Sequence, residues 1–319
     1  MGDAPRDEPA DWLAGGKKVL LDRVEWVTMP DPGTAAGALQ SGEIDWWENP
    51  IADLVPVLKG VRGLNVGIAD PLGNIGAMRI NHLQPPFDDV RVRHALQMAV
   101  DQEDYMRALV GDDDKLWRPM PGFFTPGTPL YTEAGGEMLK MRNIEAARKL
   151  LAASSYDGRP VTCIVAQDQP ITKAQGDVTA DLLQRIGFKL DFVATDWGTV
   201  VQRRTSREPV EKGGWNIFHT TWKSTSIANP ALNTNIRGQG AKGWFGWFDS
   251  PEIERLTREW LDAQDEAEQQ RLLDAIQAMA FEQAPVVPLG QFLQKTAFRA
   301  DLRGILPGPA AFPWNVRRG

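Results

Sequence analysis

The sequence contains one cysteine, Cys163, so no internal disulfide can staple this fold. It lies in the apolar run "VTCIVA" and reads as a small buried hydrophobe. A lone cysteine leaves the compartment open, because a periplasmic protein can lack disulfides as readily as a cytosolic one. No apolar run approaches the roughly 18–20 residues of a membrane span. The opening stretch "MGDAPRDEPADW" lacks the charged-then-apolar pattern of a signal peptide. Positive charge is also scarce: 35 Lys and Arg face 42 Asp and Glu, a net charge of −7. That balance argues against nucleic acid as a partner, since phosphate binding needs concentrated cations. The two basic pairs, Arg203-Arg204 and Arg317-Arg318, read as solvated ends.

Reactive constellations are equally sparse. The histidines number three, His82, His94 and His219, and none stands at HExxH- or CxxC-type spacing, so neither a metal site nor a cofactor is expected. No GxSxG occurs, and Asp112-Asp113-Asp114 lacks calcium-loop spacing. A GxGxxG match at Gly238–Gly243 is preceded by "NTNIR" and followed by "WFGWF". It lacks the strand before and the helix after that a dinucleotide loop needs. Nothing assembles a nucleophile, a base and an oxyanion hole, so the chain does not read as an enzyme. Only His219 and the hydroxyls near it favour a hydrolase.

What the sequence has in quantity is tryptophan: 12 against 3 tyrosines. Trp26 and Trp260 sit at strand and helix spacing and read as core. Trp215, Trp222, Trp244 and Trp247 flank loops rich in Gly, Ser and Asn, a pattern shared by ligand clefts and by packing under a long loop.

At 319 residues the chain has room for two domains. Residues 1–20 resemble the tail of a connection. "RVEWVTM" (23–29) reads as a strand, and "DPGTAAGALQSGE" as a helix capped by Asp31 or Thr34 and stopped near Gly42. "IDWWE", "LNVGIAD" and "NIGAMRIN" read as strands, with the helix "IADLVPVLKG" among them. One helical pattern with a buried face runs from Val92 to Val110, capped by Asp88 or Asp89 and stopped by Gly111. Residues 112–141 are loop-like. The helix "NIEAARKLLAAS" precedes a β-α-β unit of "RPVTCIVAQ", "DVTADLLQRIG" and "FKLDFVATD". Then come the helix "WGTVVQRRTS", the strand "GWNIFHTTW", two amphipathic helices over 250–283, and the strand "APVVPLGQF". The rhythm is α/β.

Three segments together resemble the bacterial extracellular solute-binding proteins of the peptide/opine/nickel class, family 5. They are "PPFDDVRVRHALQMAVDQEDYMRALVGD", "DWGTVVQRR…GGWNIFHTTW" and "FGWFDSPEIERLTREWLDAQDEAEQQRLLDAIQAMAFEQAPVVPLGQF". The resemblance covers about residues 5–319 and implies a periplasmic-binding-protein-like α/β fold of two lobes and a hinge. It divides the chain into a partial lobe I (1–88), lobe II (89–290) and a return to lobe I (291–319), with closure about 81–90 and 288–296. The chain is shorter than the family's usual length, so the N-terminal part of lobe I and the accessory domain are expected to be lacking. An exposed lobe I edge would then favour self-association.

The implied function is capture of a peptide-like or other polar solute outside the cytoplasm for an ABC permease in the membrane. The alternative is a truncated remnant or interaction module that no longer binds. In the dipeptide-binding branch, a Trp packs on the ligand and a following Asp takes its ammonium group. Trp222 matches that Trp, but Thr225 and Ser226 stand where the Asp would be, and Asn229-Pro230 where the family has Asp-Pro. The loop Gln167–Pro170 offers no arginine for a ligand carboxylate. Losing one partner of a desolvated charge pair costs about 2–5 kcal/mol, which disfavours free dipeptides. A neutral or hydroxylated solute, or a longer one held by its backbone, fits better. The resemblance thus assigns ligand contact to Trp222, Thr225, Ser226 and Asn229, and further to His219, Trp244 and Trp247. Packing of the lobe II edge is the competing reading.

Overall fold

Asp31 begins the first regular element: its Oδ1 accepts from Thr34 N at 2.7 Å, Pro32 supplies a ready-made φ, and Gly42 closes the helix at φ 81°. The structure is a computed structural model that describes residues 7–120 and 122–319. After α1 (Pro32–Ser41) come β1 (Trp46–Trp47), α2 (Val55–Lys59), β2 (Leu64–Ile68) and β3 (Asn74–Ile80). Next are α3 (Val90–Ala99), α4 (Gln102–Val110), β4 (Trp117–Arg118), α5 (Ile144–Ala152), β5 (Pro160–Ala166), α6 (Pro170–Ile186) and β6 (Lys189–Thr195). The chain continues with α7 (Trp197–Arg203), β7 (Ile217–Lys223), α8 (Pro251–Asp262), α9 (Glu266–Gln283), β8 (Val286–Phe292), β9 (Lys295–Arg299), β10 (Leu302–Arg303) and β11 (Arg317–Arg318).

The chain divides into two compact units, one formed by residues up to Gly73 together with Leu293–Gly319, the other by Asn74–Phe292. The first holds an antiparallel sheet in the order β1-β9-β2 and the small β10-β11 ribbon. Leu39, Leu58 and Ala297 are fully buried between its helices and this sheet. The second holds a six-stranded mixed sheet, β4-β8-β3-β7-β5-β6, in which β5 runs parallel to both β6 and β7. The sequence placed the first boundary at 88/89. The observed division falls earlier because β3 hydrogen-bonds to β7 on one edge and β8 on the other. At the far end, Gln291 and Phe292 still pair in that sheet, beyond the expected 290/291.

Two expected elements differ. "RVEWVTM" forms no strand: the stretch is irregular and Trp26, expected in the core, is 70% exposed. Alternation alone cannot make a strand without a neighbour to receive its hydrogen bonds. The pattern from Val92 to Val110 falls in two helices, because Val100 is extended (ψ 124°) and the Asp101 carboxylate accepts from Glu103 N at 3.0 Å, capping α4. Cys163 is fully buried as expected, and burial pushes its thiol pKa up.

Candidate functional site

β7 lies between β3 and β5, so both its edges are paired and its side chains meet the two sheet faces alternately. His219, Thr221 and Lys223 face one way, and Phe218, Thr220 and Trp222 the other. On the first face α4 and α6 close over the sheet. Tyr105 OH and Thr179 Oγ1 lie 2.8 Å apart, and Thr179 Oγ1 lies 2.7 Å from His219 Nε2. His219 is 2% exposed, and burial pushes its pKa down to about 3, so it is neutral at physiological pH.

The opposite face carries an aromatic assembly in two layers. Trp215, Phe218 and Trp247 form the closed inner layer with Ile164, Ala166 and Val200. Trp215 meets Phe218 edge-on at 4.9 Å and Trp247 at 6.0 Å. Over them sit Trp197, Trp244 and Phe245, and beside these Trp222, which packs on Ile75, Met120 and Ile227; all four rings are half-buried. Trp244 is the hub, 5.1 Å from Trp222, 5.2 Å from Phe245 and 5.8 Å from Phe218.

Each outer ring has a local reason for its place. Trp197 opens α7, where Asp196 accepts from Thr199 N at 2.9 Å, and Asp168 Oδ1 receives the Trp197 N–H at 2.8 Å. The "QDQP" loop that lacks an arginine therefore serves as a brace for this tryptophan. Trp244 and Phe245 ride on a loop pinned by Arg79 of β3. Arg79 Nε donates to Phe245 O at 2.5 Å, Nη1 donates to Asn235 O at 3.0 Å, and its guanidinium lies 5.0 Å from the Trp244 ring centre. Arg79 is 1% exposed, and burial lowers its pKa to about 9. Gly246 (φ 104°) lets the loop approach: a Cβ there would run into Ile80 O and come within 3.0 Å of Arg79 Nε.

The structure therefore separates the residues that the sequence grouped. Trp222 and Trp244 come together on the open aromatic layer. Thr225 and Ser226 stand three and four places after Trp222, in the 3₁₀ turn Ser224–Ile227, half-buried and exposed respectively. Asn229 Oδ1 accepts from Leu232 N at 3.0 Å, which commits its side-chain carbonyl to capping the following turn. Trp247, only 4% exposed, is inner-layer packing. His219 belongs to the other face. Two residues were missed. Trp197 looked like an ordinary helix start, although an aromatic placed at a capped N-terminus beside a β-strand end could have signalled it. Arg204, read as a solvated end, has its guanidinium 4.9 Å from Phe245, 5.5 Å from Trp197, 5.6 Å from Trp244 and 5.8 Å from Phe218. Its neighbour Arg203 donates to Gly213 and Gly214 carbonyls. The Gly238–Gly243 match folds as a 3₁₀ turn over Gly240–Lys242, with no helix to receive a pyrophosphate.

An α/β unit presenting a half-open aromatic surface, with turn hydroxyls beside it, suits binding of a small molecule through stacking and hydrogen bonds. Solved structures with this architecture are solute-binding proteins. The ABC transporter substrate-binding protein CtaP of Listeria monocytogenes superposes with a TM-score of 0.78 at 20% identity, covering 90% of this chain and 58% of that one. The Met-Leu complex of a dipeptide-binding protein from a Pseudoalteromonas species gives 0.72 at 22% identity, over 91% and 57%. These likenesses establish the expected periplasmic-binding-protein-like α/β fold. The profile of the bacterial extracellular solute-binding proteins, family 5 Middle, matches residues 8–244. A probable peptide ABC transporter periplasmic-binding protein of Sinorhizobium fredii is 33% identical over 98% of this chain and 60% of its own length. The periplasmic oligopeptide-binding protein OppA of Escherichia coli is 25% identical over 88% of this chain and 51% of its own length. The chain belongs to the bacterial extracellular solute-binding proteins, family 5. It spans between about half and three-fifths of the length of these two relatives.

Proposed function

We propose that this chain captures a small peptide-like solute outside the cytoplasmic membrane and delivers it, chemically unchanged, to the permease of an ABC importer. The carrying observation is the outer aromatic layer. Trp197, Trp222, Trp244 and Phe245 hold four rings half-open over a closed core, where a soluble protein would otherwise cover them. The flat faces of such rings accept side chains of many shapes, and Thr225 and Ser226 offer hydroxyls to peptide groups beside them. Relatives named as peptide-, dipeptide- and oligopeptide-binding proteins support the solute class and a periplasmic place of action. The buried, neutral state of His219 and the buried thiol of Cys163 support binding without chemistry.

Native mass spectrometry of the freshly purified chain tests this reading. A discrete added mass that disappears on denaturation, or appears with tripeptides, is expected. Bare protein throughout a titration with di- to pentapeptides contradicts it.

A further inference from the structure

Arg204 stands apart from the other arginines of its unit. Those that are buried or half-buried all have acceptors. Arg79 donates to three carbonyls, Arg93 to the carbonyls of Phe87, Gln283 and Ala284, Arg203 to those of Gly213 and Gly214, and Arg237 grips the Glu254 carboxylate with two nitrogens. Among the described residues the Arg204 side chain has no hydrogen-bond or ion-pair partner, and its Nε is enclosed without an acceptor. Its backbone is nevertheless held, since Arg204 O accepts from Trp215 Nε1 at 3.1 Å. The backbone is therefore held, while the half-buried cation is left uncompensated.

The four rings within 4.9–5.8 Å offset part of its desolvation through their π-faces. They cannot accept the in-plane N–H groups of a guanidinium, whose fork matches a carboxylate. Trp222 Nε1, on the same aromatic layer, is a second enclosed donor without an acceptor. The stretch Phe218–Pro230 adds no anion. A surface with a half-buried cation and a spare donor, neither of them paired with a carboxylate, is complementary to a negatively charged guest.

We infer that Arg204 is a carboxylate-binding residue of the solute site, and that the preferred solute presents a carboxylate among the outer aromatic rings. This rests on the solute-binding reading above. It departs from the neutral, hydroxylated or backbone-held solute expected from the sequence, a reading that found no arginine in the Gln167–Pro170 loop and took Arg204 as a solvated end. The carboxylate could be a peptide's terminal group or an acidic side chain, and the two are chemically equivalent at a guanidinium.

The test titrates the whole chain with Ala-Glu-Ala, Ala-Gln-Ala and Ala-Gln-Ala amide, and with glutarate against glutaramide, following tryptophan fluorescence. Each carboxylate lost at the contact should weaken binding about ten- to a hundred-fold. A drop from Glu to Gln marks a side-chain carboxylate, and a drop on amidation marks the terminal one. In Arg204→Met the discrimination should vanish, while Arg204→Lys should retain part of it. If Arg204→Met fails to fold, the wild type still decides: carboxylate binding should weaken with added NaCl and amide binding should not. Glutarate bound and every peptide refused would sink the peptide reading and keep this one. Equal affinity for acids and amides, or no carboxylate bound at all, would overturn it.

Discussion

Two residues of β7 lead opposite lives. Toward α4 and α6, His219 is sealed in a hydrogen-bonded chain with Thr179 and Tyr105. Three residues on, Trp222 faces an aromatic layer whose outer rings are half-open, and Arg204 there lacks any acceptor. The first face is closed sterically, although His219 Nδ1 and the Gln175 amide are enclosed there without partners. The second has unused donors and unused ring surface. A polar residue near a binding loop is therefore no guide to the site until its strand parity is known: an odd offset from Trp222 puts a β7 side chain on the other face.

The sharpest way to break this comparison is within the aromatic assembly itself. Trp215→Ala, in the closed layer, should cost about 3–5 kcal/mol of unfolding free energy, read from urea denaturation. Trp222→Ala should cost distinctly less stability, because its ring is already half-open. Equal losses would erase the distinction between inner and outer layers. Next in size, Arg79→Met removes the donor to the Thr234, Asn235 and Phe245 carbonyls and should cost on the order of 3 kcal/mol. It should also change the fluorescence of Trp244, whose loop loses its pin. Unchanged spectra would show that the loop is held otherwise.

The helix-covered face can be probed by pH. His219 titrates near 6.5 when unfolded, and burial pushes it down to about 3 in the fold. The unfolded chain thus takes the proton more readily between those values. Stability is full above about pH 6.5 and is lost as pH falls towards 3, by at most about 1.4 kcal/mol per pH unit for this group. His82, also buried and lowered well below its usual value, acts in the same direction. His219→Gln should flatten the stability profile between pH 7 and 5. An unaltered slope would remove His219 from the sealed face. The smallest effect expected is that of Asn229→Ala. Losing the cap on Leu232 N should cost about 1 kcal/mol and leave solute affinity unchanged. A large loss of affinity would return Asn229 to the site.

Much of this architecture was legible in residues that act locally. Asp31 and Asp89 cap the helices they precede, and the β-α-β unit over 160–195 forms its parallel pair as its pattern implies. What escaped depends on partners distant in sequence. "RVEWVTM" has a strand's composition but no neighbour for its backbone, so it stays irregular. The long pattern ending at Val110 hid the turn at Val100, since apolar spacing continues across it while Asp101 starts a new helix. In the site, Trp222 and Trp244 were visible as loop-flanking aromatics. Arg204 was invisible because only folding brings the rings of α7, β7 and the 244–245 loop around one guanidinium.

The most direct test of the central claim is isothermal titration of one bound peptide against wild type, Trp222→Ala and His219→Gln at pH 7. We predict that Trp222→Ala loses at least about ten-fold in affinity, the value of roughly 1.4 kcal/mol of ring contact, while His219→Gln binds as the wild type does. Retained affinity in Trp222→Ala together with a loss in His219→Gln would contradict the account and move the solute to the other face of the sheet.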